Sequence, residues 1–119
     1  MGNTKAYFIA LCILVATVGQ CFAVYTGNEV REECSINVHN PNSTSMDAYK
    51  GGFCNGFLWG VFQLGSDLAE PNRFCRPDEA NLEQAFLVLL KYLDEHPELT
   101  HESAVRLSLR AFKEAWPCH

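Results

Sequence analysis

Residues 77–97, PDEANLEQAFLVLLKYLDEHP, decide how this chain folds. Pro77 suits the first position of a helix, where the acidic Asp78 and Glu79 would lie at the positive end of the helix dipole. A residue that precedes proline is pushed out of helical geometry, so the helix should end near His96. Apolar side chains recur at steps of three and four and therefore share one helix face: Leu82, Ala85, Phe86, Leu89, Leu90 and Leu93.

A second helix is predicted directly after this one. Thr100 is suited to cap its start, with Leu99 placed to pack on Ala104, and Pro117 should end it. Because only a few residues separate the two helices, they should form an antiparallel hairpin. The second helix has a broad apolar side made of Ala104, Val105, Leu107, Ala111, Phe112 and Ala115, and a basic row made of Arg106, Arg110 and Lys113. This row is either a solvated helix face, helped by Glu102 one turn before Arg106, or a docking face for an acidic patch on a partner.

The hairpin predicts a disulfide pairing. Cys75 comes just before the first helix and Cys118 just after the second, so both lie at the open end of the hairpin. We therefore expect a Cys75–Cys118 bond, which leaves Cys34 to pair with Cys54. The chain-entropy argument gives about 4 kcal/mol for the longer loop and about 3 kcal/mol for the shorter one.

Residues 1–23 are interpreted as a secretion signal that is cleaved after Ala23, leaving a domain of residues 24–119. Lys5 precedes an apolar run that is too short for a comfortable membrane span, and Ala23 is a suitable small residue for cleavage. A membrane anchor or a buried helix is the alternative. Cleavage would remove two of the six cysteines, and the even number that remains is typical of a disulfide framework in an oxidising compartment.

The charge of the chain limits its partners. The formal net charge is −5 at pH 7, and loss of Lys5 with the signal would make it −6. Such a balance argues against a nucleic acid or an anionic membrane as the natural partner and leaves room for a basic protein partner.

The first half of the domain predicts two more helices, at 25–34 and 47–65, and the fold class is a single all-α domain of four helices with two disulfides. In the longer helix, Gly52, Gly56 and Gly60 recur every fourth residue and form one row. Each costs about 1 kcal/mol relative to alanine inside a helix, so close packing should offset the loss. We expect that packing within the domain; a homodimer contact, or a segment that is not a regular helix, are the alternatives.

No residue pattern predicts catalysis, a metal or a cofactor. The four cysteines are expected to be bonded, the histidines show no ligand spacing, and no nucleophile motif or phosphate-binding loop is present. Asn42-Ser43-Thr44 matches the glycosylation acceptor pattern, which matters only in a eukaryote. We expect a binding protein and not an enzyme.

A set of motifs resembles the Rap/Tai immunity family. The C-terminal part of the resemblance is Phe74-Cys75-Arg76-Pro77, Gln84, Tyr92-Leu93, His96-Pro97-Glu98, Ala104, Leu107, Ala111 and Pro117-Cys118; the upstream part is Cys54-Asn55-Gly56-Phe57 and Gly60. The likeness covers residues 50–118, and residues 24–49 match only through Cys34. Phe57 departs from the family pattern, which more often has tyrosine there, so a polar contact by that hydroxyl is in doubt.

The resemblance implies a helical, disulfide-containing periplasmic protein, often dimeric, that binds a peptidoglycan amidase injected by a type VI secretion system and blocks its active-site cleft. We expect the loops 35–46 and 65–73 and the basic row to contact that toxin. The residues assigned to this contact are His39, Asn40, Asp67, Glu70, Asn72, Arg106, Arg110 and Lys113.

Two other functions are the alternatives to this one. The first is a small disulfide-containing helical envelope protein with a stress or lipid-binding role and no cognate toxin; a lipid carrier should show a continuous apolar cavity lining on its helices. The second is a hydrolase, which would need a free thiol or an acid–base pair.

Overall fold

The computed structural model describes residues 24–35 and 40–119, and within them the fold is all-α. Four helices follow one another along the chain: α1 is Gly27–Cys34, α2 is Ser45–Leu64, α3 is Leu82–Glu95 and α4 is Ala104–Ala115. Two short 3₁₀ turns, Gly65–Asp67 and Pro97–Leu99, follow α2 and α3. The predicted fold class is confirmed. The predicted signal, residues 1–23, lies outside the described residues.

The first two helices both begin with a capping box. Thr26 before α1 and Thr44 before α2 each accept a hydrogen bond from the backbone N–H three residues later. The side-chain carboxylate at that later position, Glu29 or Asp47, accepts a hydrogen bond from the backbone N–H of the threonine. These hydrogen bonds from Thr44 lower the pKa of Asp47 below its usual value. Both helix starts therefore follow directly from a threonine and an acidic residue three positions apart.

The core lies between α2, α3 and α4, with α1 packed against them. The predicted apolar face of α3 faces this core, with Ala85, Leu89 and Leu93 fully buried. Phe112 of α4 forms the centre of an aromatic group and contacts Phe62 of α2 at a ring-centroid distance of 6.0 Å. The buried apolar residues are Val30, Leu58, Val61, Phe62, Phe74, Ala80, Ala85, Leu89, Leu93, Ala104, Leu107, Ala111, Phe112 and Trp116.

The third helix starts five residues later than predicted. Pro77 opens a turn, which Ala80 N–H closes by donating to the Pro77 carbonyl at 3.0 Å. The helix then begins at Leu82, where the Asn81 side chain accepts from Gln84 N–H at 2.9 Å. Asn81 is therefore the cap, because its amide oxygen satisfies an N–H that the helix itself leaves unpaired. The end near His96 is confirmed.

The fourth helix also starts later than predicted, at Ala104 and not after Thr100. The Thr100 hydroxyl donates to the Pro97 carbonyl within the turn at 3.0 Å, so it does not cap a helix. The first N–H of α4, at Ala104, donates to the Tyr25 carbonyl at 2.7 Å. Thr26 and Ser103 form an antiparallel bridge beside it. A distant part of the chain thus takes the place of a local side-chain cap.

Both predicted disulfides are present. Cys75 and Cys118 are joined with a Cα–Cα distance of 4.9 Å, and Cys34 and Cys54 with one of 5.4 Å. Cys75 N–H also donates to the Trp116 carbonyl at 2.8 Å, which fixes the chain end beside the loop that leads to α3. The α3–α4 pair is closed at this end, as the sequence predicts.

Candidate functional site

A basic groove runs between α4 and the loop that follows the first 3₁₀ turn. It has a volume of about 240 Å³ and is lined by Pro71, Asn72, Arg106, Leu109, Arg110 and Lys113. The helix supplies its cations because residues three and four apart share a helix face. The opposite face of α4, with Leu107 and Ala111, is buried in the core. The amphipathic pattern of α4 therefore directs these basic side chains into the groove.

Two carboxylates partly neutralise the groove. Glu102 approaches Arg110 at 3.1 Å and Arg106 at 3.8 Å, so one carboxylate serves two guanidinium groups. Glu70 approaches the Lys113 ammonium at 3.3 Å. Three cations thus face two anions, which leaves a local positive excess on a chain whose net charge is −5. Such a patch attracts negative groups and lowers the barrier to their approach.

The loop side of the groove is held to α4 through Lys113. Its ammonium donates to the Pro71 carbonyl at 2.6 Å in addition to pairing with Glu70. Asn72 lies next in the chain and donates its backbone N–H to the Ala69 carbonyl at 3.1 Å. Lys113 is therefore kept at the groove by a neutral acceptor as well as by a charge.

The structure brings together five of the eight residues assigned to partner binding. Asn72, Arg106, Arg110 and Lys113 line the groove, and Glu70 pairs with the last of them. Asp67 is an exposed residue of the 3₁₀ turn and does not line the groove. Asn40 is exposed before α2, where its side chain accepts from Asn42 N–H at 3.0 Å. His39 lies outside the described residues.

The glycine row of α2 does not pack within the domain, so that prediction is wrong. Gly52, Gly56 and Gly60 are exposed, and a Cβ placed on any of them would meet no atom within 4 Å. The buried side of the helix is formed by other residues, Leu58 and Phe62 among them. Glycine in a row at helical spacing fits close packing against a neighbour, but the row alone does not say on which side the neighbour lies.

Aromatic side chains share this exposed face with the glycines. The exposed fraction is 68% for Tyr49, 46% for Phe53 and 51% for Trp59. Tyr49 and Phe53 stack at a centroid distance of 6.4 Å, and Phe53 meets the edge of Tyr25 at 5.0 Å. We call this surface the aromatic face of α2. This face was not predicted, although the 49–53–56–60 spacing of aromatics and glycines is visible in the sequence.

Phe57, the departure from the family pattern, lies at the border of this face. It is half-buried and contacts the Tyr25 ring at a centroid distance of 5.1 Å with an interplanar angle of 74°. An edge-to-face aromatic contact needs no hydroxyl.

The described residues offer two candidate binding surfaces, the basic groove and the aromatic face of α2. All four of their cysteines are bonded, and no group of three or more metal-ligating side chains comes together among them. His96 contacts the Tyr92 ring and lies 3.5 Å from Glu98, at the C-terminal end of α3. None of the helices in 24–35 and 40–119 has the length and apolar character needed to cross a membrane.

Comparison with protein families gives one match that covers most of the chain. The model for Rap1a immunity proteins matches residues 26–118, which include all four helices, both disulfides and the basic groove. A search of curated proteins finds no significant match.

Proposed function

Because the chain belongs to the Rap1a immunity protein family, we propose that it binds a peptidoglycan amidase delivered by a type VI secretion system and occludes its active site. The family match over residues 26–118 carries this proposal, since it indicates immunity against a type VI effector. The family is not one of enzymes. The amidase target and the blocking mechanism rest on the resemblance of the residue motifs.

Occlusion requires a surface that is rigid before it meets the toxin. Two disulfides fasten the helices, one between α1 and α2 and one between the loop before α3 and the chain end. A preordered surface loses less conformational entropy on binding, so more of the contact energy appears as affinity. The covalent framework of the domain supports the proposed mechanism.

We place the protein in the periplasm after removal of residues 1–23. The leader pattern of that segment supports export, and the disulfides of the remaining domain suit an oxidising compartment. A periplasmic position would allow the protein to meet an amidase where peptidoglycan lies.

The toxin-binding surface is proposed to be the basic groove and the loops beside it. The groove unites Asn72 with the three cations of α4, and Glu70 lies at its edge. Asp67, in the 3₁₀ turn that precedes the groove loop, and His39 and Asn40, in the separate segment 35–46, are proposed to add polar contacts to the toxin. The groove and the loop 65–73 form a more uneven surface than a flat helix face. Such a surface favours insertion into the active-site cleft of the amidase.

The aromatic face of α2 is assigned to a homodimer contact. Gly52, Gly56 and Gly60 leave room for another backbone to approach, and Phe53 and Trp59 supply apolar area on either side. This row carries no charged side chain, so two acidic chains can meet there with little repulsion.

A rescue assay tests the proposed function. The toxin-like reading frame nearest this gene is sent to the periplasm of a test strain, with this protein exported, retained in the cytoplasm or absent. We expect survival only with the exported protein, together with a complex that co-purifies. Lysis with the exported protein present would reject that amidase as the target and favour an envelope protein without a cognate toxin.

A further inference from the structure

We propose that the basic groove receives an acidic segment of the partner protein, whose carboxylates replace Glu70 at Lys113 and engage Arg106. This inference deepens the proposed function, because it names the chemistry of the partner at the same site, and it rests on that function for the identity of the partner.

The cations of the groove differ in how well they are paired. The Arg106 side chain is 65% exposed and lies 3.8 Å from its nearest carboxylate, that of Glu102. Arg110 is 44% exposed and lies closer to the same carboxylate, at 3.1 Å. Since the Glu102 carboxylate lies within hydrogen-bond distance of Arg110 and not of Arg106, Arg106 keeps most of its capacity to bind a further carboxylate.

The two carboxylates also differ in how firmly they are held. The Glu102 side chain is 22% exposed, and its backbone carbonyl accepts a hydrogen bond from Gly27 N–H at 3.1 Å. The Glu70 side chain is 66% exposed and makes one ion pair, to Lys113. An exposed pair of this kind contributes little stability, so an incoming carboxylate can displace Glu70 at small cost.

Lys113 would stay in place when Glu70 leaves. Its ammonium also donates to the Pro71 carbonyl at 2.6 Å, and this neutral contact keeps the charge at the groove. Glu70 therefore acts as an internal competitor for the partner, occupying a cation that would otherwise be open.

An acidic peptide segment suits the groove better than an isolated anion. Leu109 and Pro71 give it apolar surface for the aliphatic part of a glutamate side chain, while Asn72 adds an amide. The rest of the chain is acidic, so a negative segment is guided toward this patch and away from other surfaces.

The test uses oligopeptides and does not need the toxin. Hexaglutamate, hexalysine and inorganic phosphate are each titrated into the oxidised, ¹⁵N-labelled protein at low salt while amide resonances are followed. We expect hexaglutamate alone to shift the amides of Asn72 and residues 106–113 in a saturable way. The shifts should vanish at about 0.5 M NaCl, where screening acts over only a few ångströms.

Variants with opposite expected effects on the affinity for hexaglutamate make the test specific. Glu70→Gln removes the competitor and should tighten hexaglutamate binding severalfold, whereas Arg106→Glu and the milder Arg106→Gln should weaken it at least tenfold. Lys91→Glu is the matched control: Lys91 pairs with Glu95 at 3.8 Å, the same distance and spacing as Arg106 and Glu102, and it lies on α3 outside the groove. Its substitution should leave the affinity unchanged.

The proposal is overturned if hexaglutamate leaves the groove amides unshifted, if Glu70→Gln weakens binding, or if phosphate alone gives the same shifts. Its failure is distinct from failure of the proposed function. Rescue without hexaglutamate binding would retain immunity and reject this use of the groove. Hexaglutamate binding without rescue would retain the groove and reject that amidase as the target.

Discussion

At the scale of single residues, Gly27 shows how tightly the start of α1 is packed. A Cβ at this position would lie 2.6 Å from Leu107 Cδ1 and 2.9 Å from the Thr100 carbonyl oxygen. The backbone oxygen cannot move away as a side chain can, so Gly27→Ala should lower the free energy of unfolding by about 1–3 kcal/mol. Chemical denaturation, at a protein concentration that keeps the chain monomeric, measures it, with Gly56→Ala as control.

The control substitution should change the free energy of unfolding in the opposite direction. A Cβ at Gly56 meets open space, so alanine there should stabilise the helix by up to about 1 kcal/mol. Equal effects of the two substitutions would contradict the packing described for Gly27.

Tyr25 gives a pH dependence. Burial, and then the hydrogen bond that its hydroxyl donates to Glu33 at 2.8 Å, raise the pKa of Tyr25 above its ordinary value of 10.0. Below about pH 10 both the folded and the unfolded chain keep the phenolic proton of Tyr25. Above it the unfolded chain loses the proton first, so the free energy of unfolding should fall as pH rises beyond about 10.

The variant Tyr25→Phe isolates this effect. Denaturant unfolding between pH 8 and about 11.5 should show a steeper alkaline loss for the native chain than for the variant, because the variant has no phenol to ionise there. Parallel curves would mean that the Tyr25 hydroxyl ionises equally well in the folded state.

At the scale of elements, the two disulfides should contribute unequally. Cys34 and Cys54 are 20 residues apart and Cys75 and Cys118 are 43 apart, so the chain-entropy argument gives about 3 and about 4 kcal/mol. We expect replacement of both cysteines of a disulfide by serine to lower the thermal midpoint, measured by circular dichroism. The loss should be larger for Cys75 and Cys118 than for Cys34 and Cys54. Reduction of the native chain should lower it further than either pair. An unchanged midpoint in either variant would contradict a structural role for that bond.

The helices themselves were predictable where local chemistry specifies them. The periodic apolar residues predicted α3 and α4, and the prolines at 97 and 117 predicted where each one ends. The starts were placed too early because Pro77 and Thr100 are as suited to turns as to helix starts. The true start of α4 depends on the Tyr25 carbonyl, which is distant in sequence and could not be read locally.

At the scale of the whole molecule, the basic row was predictable from the sequence, and its surroundings were not. The spacing of Arg106, Arg110 and Lys113 fixes a shared helix face, and Glu102 one turn before Arg106 was a visible partner. That Glu70 and Pro71 would reach Lys113 depends on the path of a loop more than 40 positions earlier in the chain. The inward packing assigned to the glycine row failed for a similar reason: periodicity defines a row, and tertiary packing decides which way it faces.

The orientation of that row leads to a prediction about assembly. The α2 helix has 20 residues and is about 30 Å long, so its aromatic face and the surface around it could supply part of the roughly 800 Å² per partner that a stable dimer needs. We expect the oxidised domain to sediment at twice its monomer mass.

Gly56→Leu should yield a folded monomer, because the added side chain meets open space within one chain and would block a close approach by a second. Leu87→Ser, which alters an exposed apolar residue on α3, is the control and should leave the dimer intact. A native chain that stays monomeric at all concentrations, or a Gly56→Leu chain that stays dimeric, would show that the aromatic face of α2 is not the contact between copies.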